Sequence, residues 1–172
     1  MNICILHIGV SNNQLKKKHK SSPVRFQNLL APFLPNAKWS TIHCLDEIIP
    51  NNTGEFDAYL ITGGKYSVFE NIEWQNNLFS FIQKIYSANI PLIGVCYGHQ
   101  AIAHALGGKV ERHKGGWGAG TTSLNINNKP KWLNGISEEI NLYAMHQDQV
   151  TKLPINATRF LSNDFCKNSG FY

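Results

Sequence analysis

The chain has 172 residues, 42% of them hydrophobic and 16% charged, with a formal net charge of +5. That length predicts one domain spanning residues 1–172, with room for a core, and no apolar run is long enough to cross a membrane. The four cysteines, Cys4, Cys44, Cys96 and Cys166, are widely spaced with no C-x-x-C; this predicts a reduced, cytoplasmic protein, with no disulfide scaffold and no metal site.

The N-terminus, MNICILHIGV, is apolar but lacks a basic stretch ahead of it and a small-residue cleavage site, so it reads as a first strand over Ile3–Ile8 and not as a signal peptide. Residues 12–22 are polar and loop-like, and much of the positive charge sits there, in Lys16-Lys17-Lys18-His19-Lys20. No aromatic residue interleaves these lysines, so a solvated loop is expected and no nucleic-acid partner. Over Val24–Phe33 the spacing of Phe26, Leu29, Leu30 and Phe33 predicts one helix face, ended by Pro32 and Pro35. Lys38–Cys44 alternates as a second strand, and Pro50–Gly54 is a turn cluster. Phe56–Thr62 predicts a third strand that runs into Gly63-Gly64. Trp74–Tyr86 predicts a strong helix with Trp74, Leu78, Phe79, Phe81, Ile82 and Ile85 on a broad apolar face. Pro91–Val95 is the fourth strand, and a helix-like stretch over Gln100–Leu106 closes on Gly107-Gly108. Strands separated by helices imply an α/β fold with an open, mostly parallel sheet and helices on both faces. Beyond Gly107 the pattern changes to short strand-like runs, Thr121–Ile126 and Ile140–Met145, with another strand beginning at Phe160-Leu161. No repeat, linker or domain boundary is visible.

One segment carries most of the functional information. Gly94-Val95-Cys96-Tyr97-Gly98 has the form of a nucleophile elbow, G-x-nucleophile-x-G, with cysteine in the nucleophile's place. Side chains at the flanking glycine positions would collide with neighbouring backbone. The turn places Cys96 at the start of a helix, where amides and dipole favour thiolate over thiol. The bland alternative, a buried cysteine in a short β–α turn, is weakened by the residues that follow.

Those residues, GVCYGHQAIAHALGG, closely resemble the nucleophile motif of class I (triad-type) glutamine amidotransferases, especially the group resembling the glutaminase domain of GMP synthase. Three further stretches match in order. Leu60-Ile61-Thr62-Gly63-Gly64-Lys65 resembles the family's oxyanion strand and loop, Gly115-Gly116-Trp117-Gly118 its glycine-tryptophan turn, and Met145-His146-Gln147-Asp148-Gln149-Val150 its S-H-x-D-x-V segment. The resemblance implies a flavodoxin-like sheet and a thioester mechanism on the side-chain amide of glutamine or a related γ-glutamyl bond. It implies no cofactor.

That chemistry needs a thiolate, donors for a tetrahedral oxyanion, a proton shuttle, and a pocket that reads an α-amino acid. Cys96 supplies the sulfur, and the Tyr97 amide, the first past the elbow, is well placed as one donor. The best candidate for a second is the Gly63-Gly64 pair, whose bare backbone can approach a substrate; the resemblance assigns the donor to Gly64 and leaves Gly63 lining the substrate. Gly64→Val is therefore expected to damage the site more than the fold. Gln100, four residues past Cys96, shares its helix face; the resemblance implies a substrate contact, against the plainer reading of a buried glutamine bonded to backbone. The resemblance places His146, Gln147 and Asp148 near the α-carbon groups of the substrate, through backbone. A separate reading makes His146 a base oriented by Asp148.

The family's catalytic histidine and glutamate lie in an H-P-E motif, which these residues do not contain. The expectation is a glutamine amidotransferase-type domain truncated at its C-terminus and catalytically incomplete, with exposed sheet edges that favour self-association. Its intact parent hydrolyses glutamine and either releases ammonia or passes it to a synthetase subunit. The alternatives are a γ-glutamyl peptidase or hydrolase, a non-catalytic module that holds a γ-glutamyl ligand or a partner subunit, and a redox or chaperone-like relative with an elbow cysteine.

Overall fold

A computed structural model describes residues 1–9, 21–46, 49–50, 52–136 and 138–172. The basic run Lys16–Lys20 lies outside the described residues. The chain divides into two compact units, Met1–Ile102 and Ala103–Tyr172. Among the described residues no helix is long and apolar enough to cross a membrane.

The first unit is built on a four-stranded sheet in the order β2-β1-β3-β4, from β1 (Asn2–His7), β2 (Lys38–His43), β3 (Ala58–Ile61) and β4 (Leu92–Gly94). Every pairing in it is parallel, with Ile5 opposite Thr41 and Leu60, and Leu60 opposite Ile93. The central strands read as near-continuous apolar runs, as strands buried on both faces should: Ile3, Cys4, Ile5 and Leu6 of β1 and Tyr59, Leu60 and Ile61 of β3 are all buried.

The helix α1 (Ser22–Leu30) departs from expectation. It stops before Phe33, because Pro32 has no N–H to continue the ladder. Leu29 and Phe33, predicted to face the core, are exposed, and Pro23 is the residue this helix buries. Between β3 and β4 runs α2 (Glu73–Ser87), which buries Gln75, Leu78, Phe81, Ile82 and Ile85 along one stripe. That stripe matches the predicted apolar face except at its first member, which is a glutamine. Trp74 and Phe79 are half-buried at its margins.

The helix α3 (Tyr97–Ala105) begins directly after Cys96, earlier than the predicted Gln100. Its end falls where the glycines indicate: Gly107 takes φ +86°, and the Gly108 amide bonds back to the Ala103 carbonyl at 2.8 Å. A Cβ on Gly108 would meet the Lys152 carbonyl oxygen at 2.7 Å, so this position has no room for a side chain.

The second unit is antiparallel. β6 (Gly118–Ile126) and β7 (Glu139–His146) pair in register from Gly118–His146 to Asn125–Glu139. With β9 (Arg159–Ser162) and β10 (Gly170–Phe171) they form a sheet in the order β10-β9-β6-β7, while β5 (Lys109–Arg112) pairs with β8 (Asp148–Lys152). The parallel sheet expected from the sequence is thus confined to the first unit. The strands β5, β8 and β10 escape sequence reasoning because they are short, and β5 and β8 are rich in charged or polar residues.

Candidate active site

The elbow is formed by the chain leaving β4. The Val95 amide still bonds to the Ile61 carbonyl of β3 at 3.0 Å, so the strand is held until one residue before the cysteine. The chain then reverses at once. The Val95 carbonyl accepts from the Gly98 amide at 3.0 Å, and the Cys96 carbonyl accepts from the Gln100 amide at 3.1 Å as α3 begins. Cys96 itself sits at φ 56°, in the left-handed region, which costs a non-glycine residue about 1–2 kcal/mol.

Two glycines make this turn possible. A Cβ on Gly94 would lie 2.4 Å from the Gly98 carbonyl carbon and oxygen, and one on Gly98 would lie 2.4 Å from the Ile61 carbonyl oxygen. Both obstacles are backbone and cannot rotate away. The collision anticipated from the G-x-C-x-G spacing is therefore real at both flanks.

The Gly63-Gly64 loop follows β3 and reaches the same point. A Cβ on Gly63 would lie 3.2 Å from the Cys96 Cβ and 3.6 Å from its sulfur, so this glycine keeps the space beside the thiol open. The main-chain amides of both Tyr97 and Gly64 lie near enough to the Cys96 sulfur to lower its pKa. The two predicted oxyanion donors thus converge on the predicted nucleophile. Gly64 is also closed in on its other side, since a Cβ there would meet the Ile8 carbonyl oxygen at 2.4 Å. This corrects the expectation for Gly64→Val: the substitution strikes backbone just past β1 and harms the fold as well as the site.

Thr62, fully buried, sets the direction of the Gly64 amide. Its hydroxyl donates to the Gly63 carbonyl at 3.1 Å. The Gly63 carbonyl and Gly64 N–H belong to one planar trans peptide, so fixing the oxygen on one side turns the N–H to the other. The same hydroxyl oxygen accepts from the Ile8 amide at 3.0 Å and lies 3.3 Å from His7 Nδ1. With its one proton given to Gly63, the hydroxyl can only accept from His7, which assigns the proton to Nδ1 in the neutral ring. Burial, and then the neighbouring His43, push the His7 pKa below its usual value.

Cys96 is the one exposed cysteine; Cys4, Cys44 and Cys166 are buried. Its titration differs from the expectation of a ready thiolate. Desolvation by the protein packed around the elbow pushes the pKa up, and the Tyr97 and Gly64 amides only partly offset it. The amide at the helix start acts in the predicted direction but is outweighed by burial.

Tyr97 contributes a second feature. Its ring is buried, and its hydroxyl accepts from Gln75 Nε2 at 3.1 Å. Sequence reasoning misses both Thr62 and Gln75 as site residues. For Gln75 a signal exists: it occupies the core position that Leu78, Ile82 and Ile85 define on α2, and a polar residue there needs a partner. Gln100 is buried in α3.

His146, Gln147 and Asp148 belong to the second unit. His146 Nδ1 lies 3.2 Å from the Asp148 main-chain oxygen, and the Asp148 carboxylate pairs with Arg112 Nε at 3.3 Å. The Gln147 carbonyl accepts from the His113 amide at 2.9 Å. The Asp148 carboxylate is thus paired with Arg112, while the His146 ring meets main chain. Among the described residues no group of His, Cys, Asp and Glu is arranged to hold a metal ion.

A cysteine on a strained strand-to-helix turn at the end of a parallel sheet, faced by two main-chain amides, defines the nucleophile-elbow class of α/β proteins. The chain belongs to the class-I glutamine amidotransferase family, whose model matches residues 35–171. A Saccharomyces cerevisiae protein named as a glutamine amidotransferase is 35% identical over 145 residues, covering 80% of this chain and 57% of its own length. A glutamine-hydrolyzing GMP synthase polypeptide of Saccharolobus solfataricus is 36% identical over 100 residues, covering 58% of this chain and 51% of the relative. Gamma-glutamyl peptidase 3 of Arabidopsis thaliana is 28% identical over 137 residues, covering 75% and 55%. The fold is similar to the crystal structure of a glutamine amidotransferase from Thermotoga maritima, with a TM-score of 0.82 at 20% identity over 99% of this chain and 70% of that one. The chain spans about half the length of the curated relatives it matches.

Proposed function

We propose that Cys96 is the nucleophile of a glutaminase reaction, attacking the side-chain carbonyl of glutamine or of a γ-glutamyl group. The observation that carries this is the left-handed Cys96 turn with the Gly63-Gly64 loop laid against its sulfur, where the Gly64 and Tyr97 amides lower its pKa. A carbonyl presented to that sulfur would put its developing oxyanion between two fixed donors, each worth on the order of 3 kcal/mol. Collapse expels ammonia, or the amine of a γ-glutamyl bond, and leaves a thioester that water opens to glutamate. Gly63 leaves bare backbone beside which the substrate chain lies, and Gln100 stands on the helix that begins directly after Cys96; the roles of Gln100 and of the His146, Gln147 and Asp148 backbone at the α-amino and α-carboxylate ends are carried by the resemblance alone.

Proton transfer needs a base, and the raised Cys96 pKa makes that need sharper. The H-P-E that the resemblance calls for is not among these 172 residues. The chain on its own is therefore expected to acylate and then stall. The relative named for glutamine-hydrolyzing GMP synthase suggests that ammonia passes to a synthetase partner, and the gamma-glutamyl peptidases favour the peptide substrate as second choice. We place the protein in the cytoplasm, and read the parallel sheet as an open one with helices on both faces. β4 lies at one edge of that sheet as described, and Ile93 and Val95 along it are exposed; apolar residues on a free edge favour self-association.

The test is labelling by a diazo-ketone analogue of glutamine, followed by ammonia release. Cys96 should be labelled, Cys96→Ala should abolish it, and ammonia should stop near one equivalent. Preferential modification of Cys4, Cys44 or Cys166 would defeat the assignment. Repeated turnover that depends on Cys96 would show that a base lies within these residues, and His146 would be the first to replace.

A further inference from the structure

The geometry points to Gln75 as a positioning residue that ties the two halves of the oxyanion site together through its side-chain amide. This rests on the donor role proposed for the Gly64 and Tyr97 amides. Those donors come from separate pieces of chain: Gly64 from the loop after β3, and Tyr97 from the first residue of α3. Separate pieces must be held at a fixed spacing if both are to serve one oxygen, since an error of about 1 Å costs on the order of 100-fold in rate.

Gln75 is fully buried at the start of α2, between them in sequence. Its Nε2 donates to the Ser67 carbonyl at 2.8 Å and to the Tyr97 hydroxyl at 3.1 Å. Its Oε1 accepts from the Ile72 amide at 3.3 Å. The partners themselves fix which way the amide faces, because a carbonyl can only accept and a backbone N–H can only donate. Ser67 is on the loop just past Gly64 and is itself buried, with its amide held by Glu70 Oε1 at 2.8 Å. One carboxamide therefore spans the loop, the start of α2 and the elbow residue.

An aromatic bridge runs beside the polar one. The Trp74 ring lies 5.2 Å from that of Tyr66 on the loop and 5.9 Å from that of Tyr97. Two neighbouring residues of α2 thus contact both the loop and the elbow, by hydrogen bonds in one case and by ring contacts in the other. Packing alone would need only an apolar side chain at position 75. An amide satisfied on both its nitrogen and its oxygen fixes direction and distance as well. The other titratable groups that act on Tyr97 are Cys44 and Glu70.

The experiment uses the 172-residue chain and two reagents. Iodoacetamide alkylates the Cys96 thiolate without needing an oxyanion site, and its rate against pH reports how well the two amides stabilise the thiolate. A chloroketone analogue of glutamine passes through a tetrahedral adduct and reads the oxyanion site itself. Gln75→Leu keeps the volume and removes the hydrogen bonds. It should move the alkylation profile to higher pH and lower the chloroketone-to-iodoacetamide rate ratio on the order of tenfold. Tyr97→Phe, which keeps the amide and the ring, should shift both in the same direction by less. The double variant should match Gln75→Leu alone, because the two side chains act through one bond. A folded Gln75→Leu with the parent's pH profile and rate ratio overturns the inference, as do additive effects in the double variant. Where Gln75→Leu fails to fold, Tyr97→Phe decides, and an unchanged profile there overturns it equally. Failure of the glutaminase reading looks different: the parent chain would show no preference for the chloroketone, while the pH profile would still report on Gln75.

Discussion

Replacing Cys96 by glycine should leave the protein more stable than replacing it by alanine, the reverse of the usual order. Alanine removes the thiol but keeps a Cβ at φ 56°, so it keeps the left-handed strain. That strain is worth about 1–2 kcal/mol for a residue with a Cβ, and glycine is free of it. Against this, glycine loses more backbone entropy on folding, about 0.5–1 kcal/mol relative to alanine. Taken at the middle of each range, the difference favours Cys96→Gly by about 0.8 kcal/mol. With a urea dependence of about 2 kcal/mol per molar, the unfolding midpoint of Cys96→Gly should lie about 0.3–0.5 M above that of Cys96→Ala. The assay is urea unfolding of the two variants in parallel. Both lack the thiol, so neither the sulfur's hydrogen bonds nor its titration enters the comparison. A lower midpoint for Cys96→Gly, by the ordinary glycine penalty, would refute the view that the elbow stores backbone strain at Cys96.

Gly98→Ala should destabilise the protein by about 3 kcal/mol or more, because the new Cβ would sit 2.4 Å from the Ile61 carbonyl oxygen. Gly107→Ala is the contrasting case: nothing lies within 4 Å of its Cβ, and only the strain at φ +86° is felt. Urea midpoints of the two variants should separate these costs. Thr62→Val leaves the Gly63 carbonyl without its hydroxyl donor and the Ile8 amide without its acceptor. It should lower stability by about 1–3 kcal/mol and slow Cys96 labelling by the diazo-ketone, and labelling at the parent rate would remove Thr62 from the aiming of Gly64. His7 has a pKa lowered by burial and by His43. The unfolded chain therefore binds its proton more readily, so the contribution of His7 to stability is present above pH 6.5 and lost as pH falls through the folded value. Unfolding midpoints measured against pH should show that slope, and His7→Gln should flatten it.

The order of elements in the first unit and the identity of the elbow can be read from the chain alone, because both follow from local rules. Apolar runs of strand length and the stripe of Leu78, Phe81, Ile82 and Ile85 are legible because periodicity is a property of neighbours in the chain. G-x-C-x-G is legible because a left-handed turn with no room for a Cβ at either flank leaves few residue choices. Other features exist only once the chain has folded. Whether Leu29 and Phe33 are covered depends on what packs against α1, and no local pattern carries that. The short strands β5 and β8 exist because they pair with each other across the long stretch of chain between Arg112 and Asp148, not because of their own composition. The Cys96 pKa could not be read from its helix position, since desolvation by the surrounding protein outweighs the nearby amides. Thr62 and Gln75 act through partners brought close only by folding: Ile8 lies far back along the chain from Thr62, and Tyr97 far ahead of Gln75. Local chemistry specifies which residue must stand at a strained turn, while three-dimensional packing sets the field and the hydrogen bonds around it.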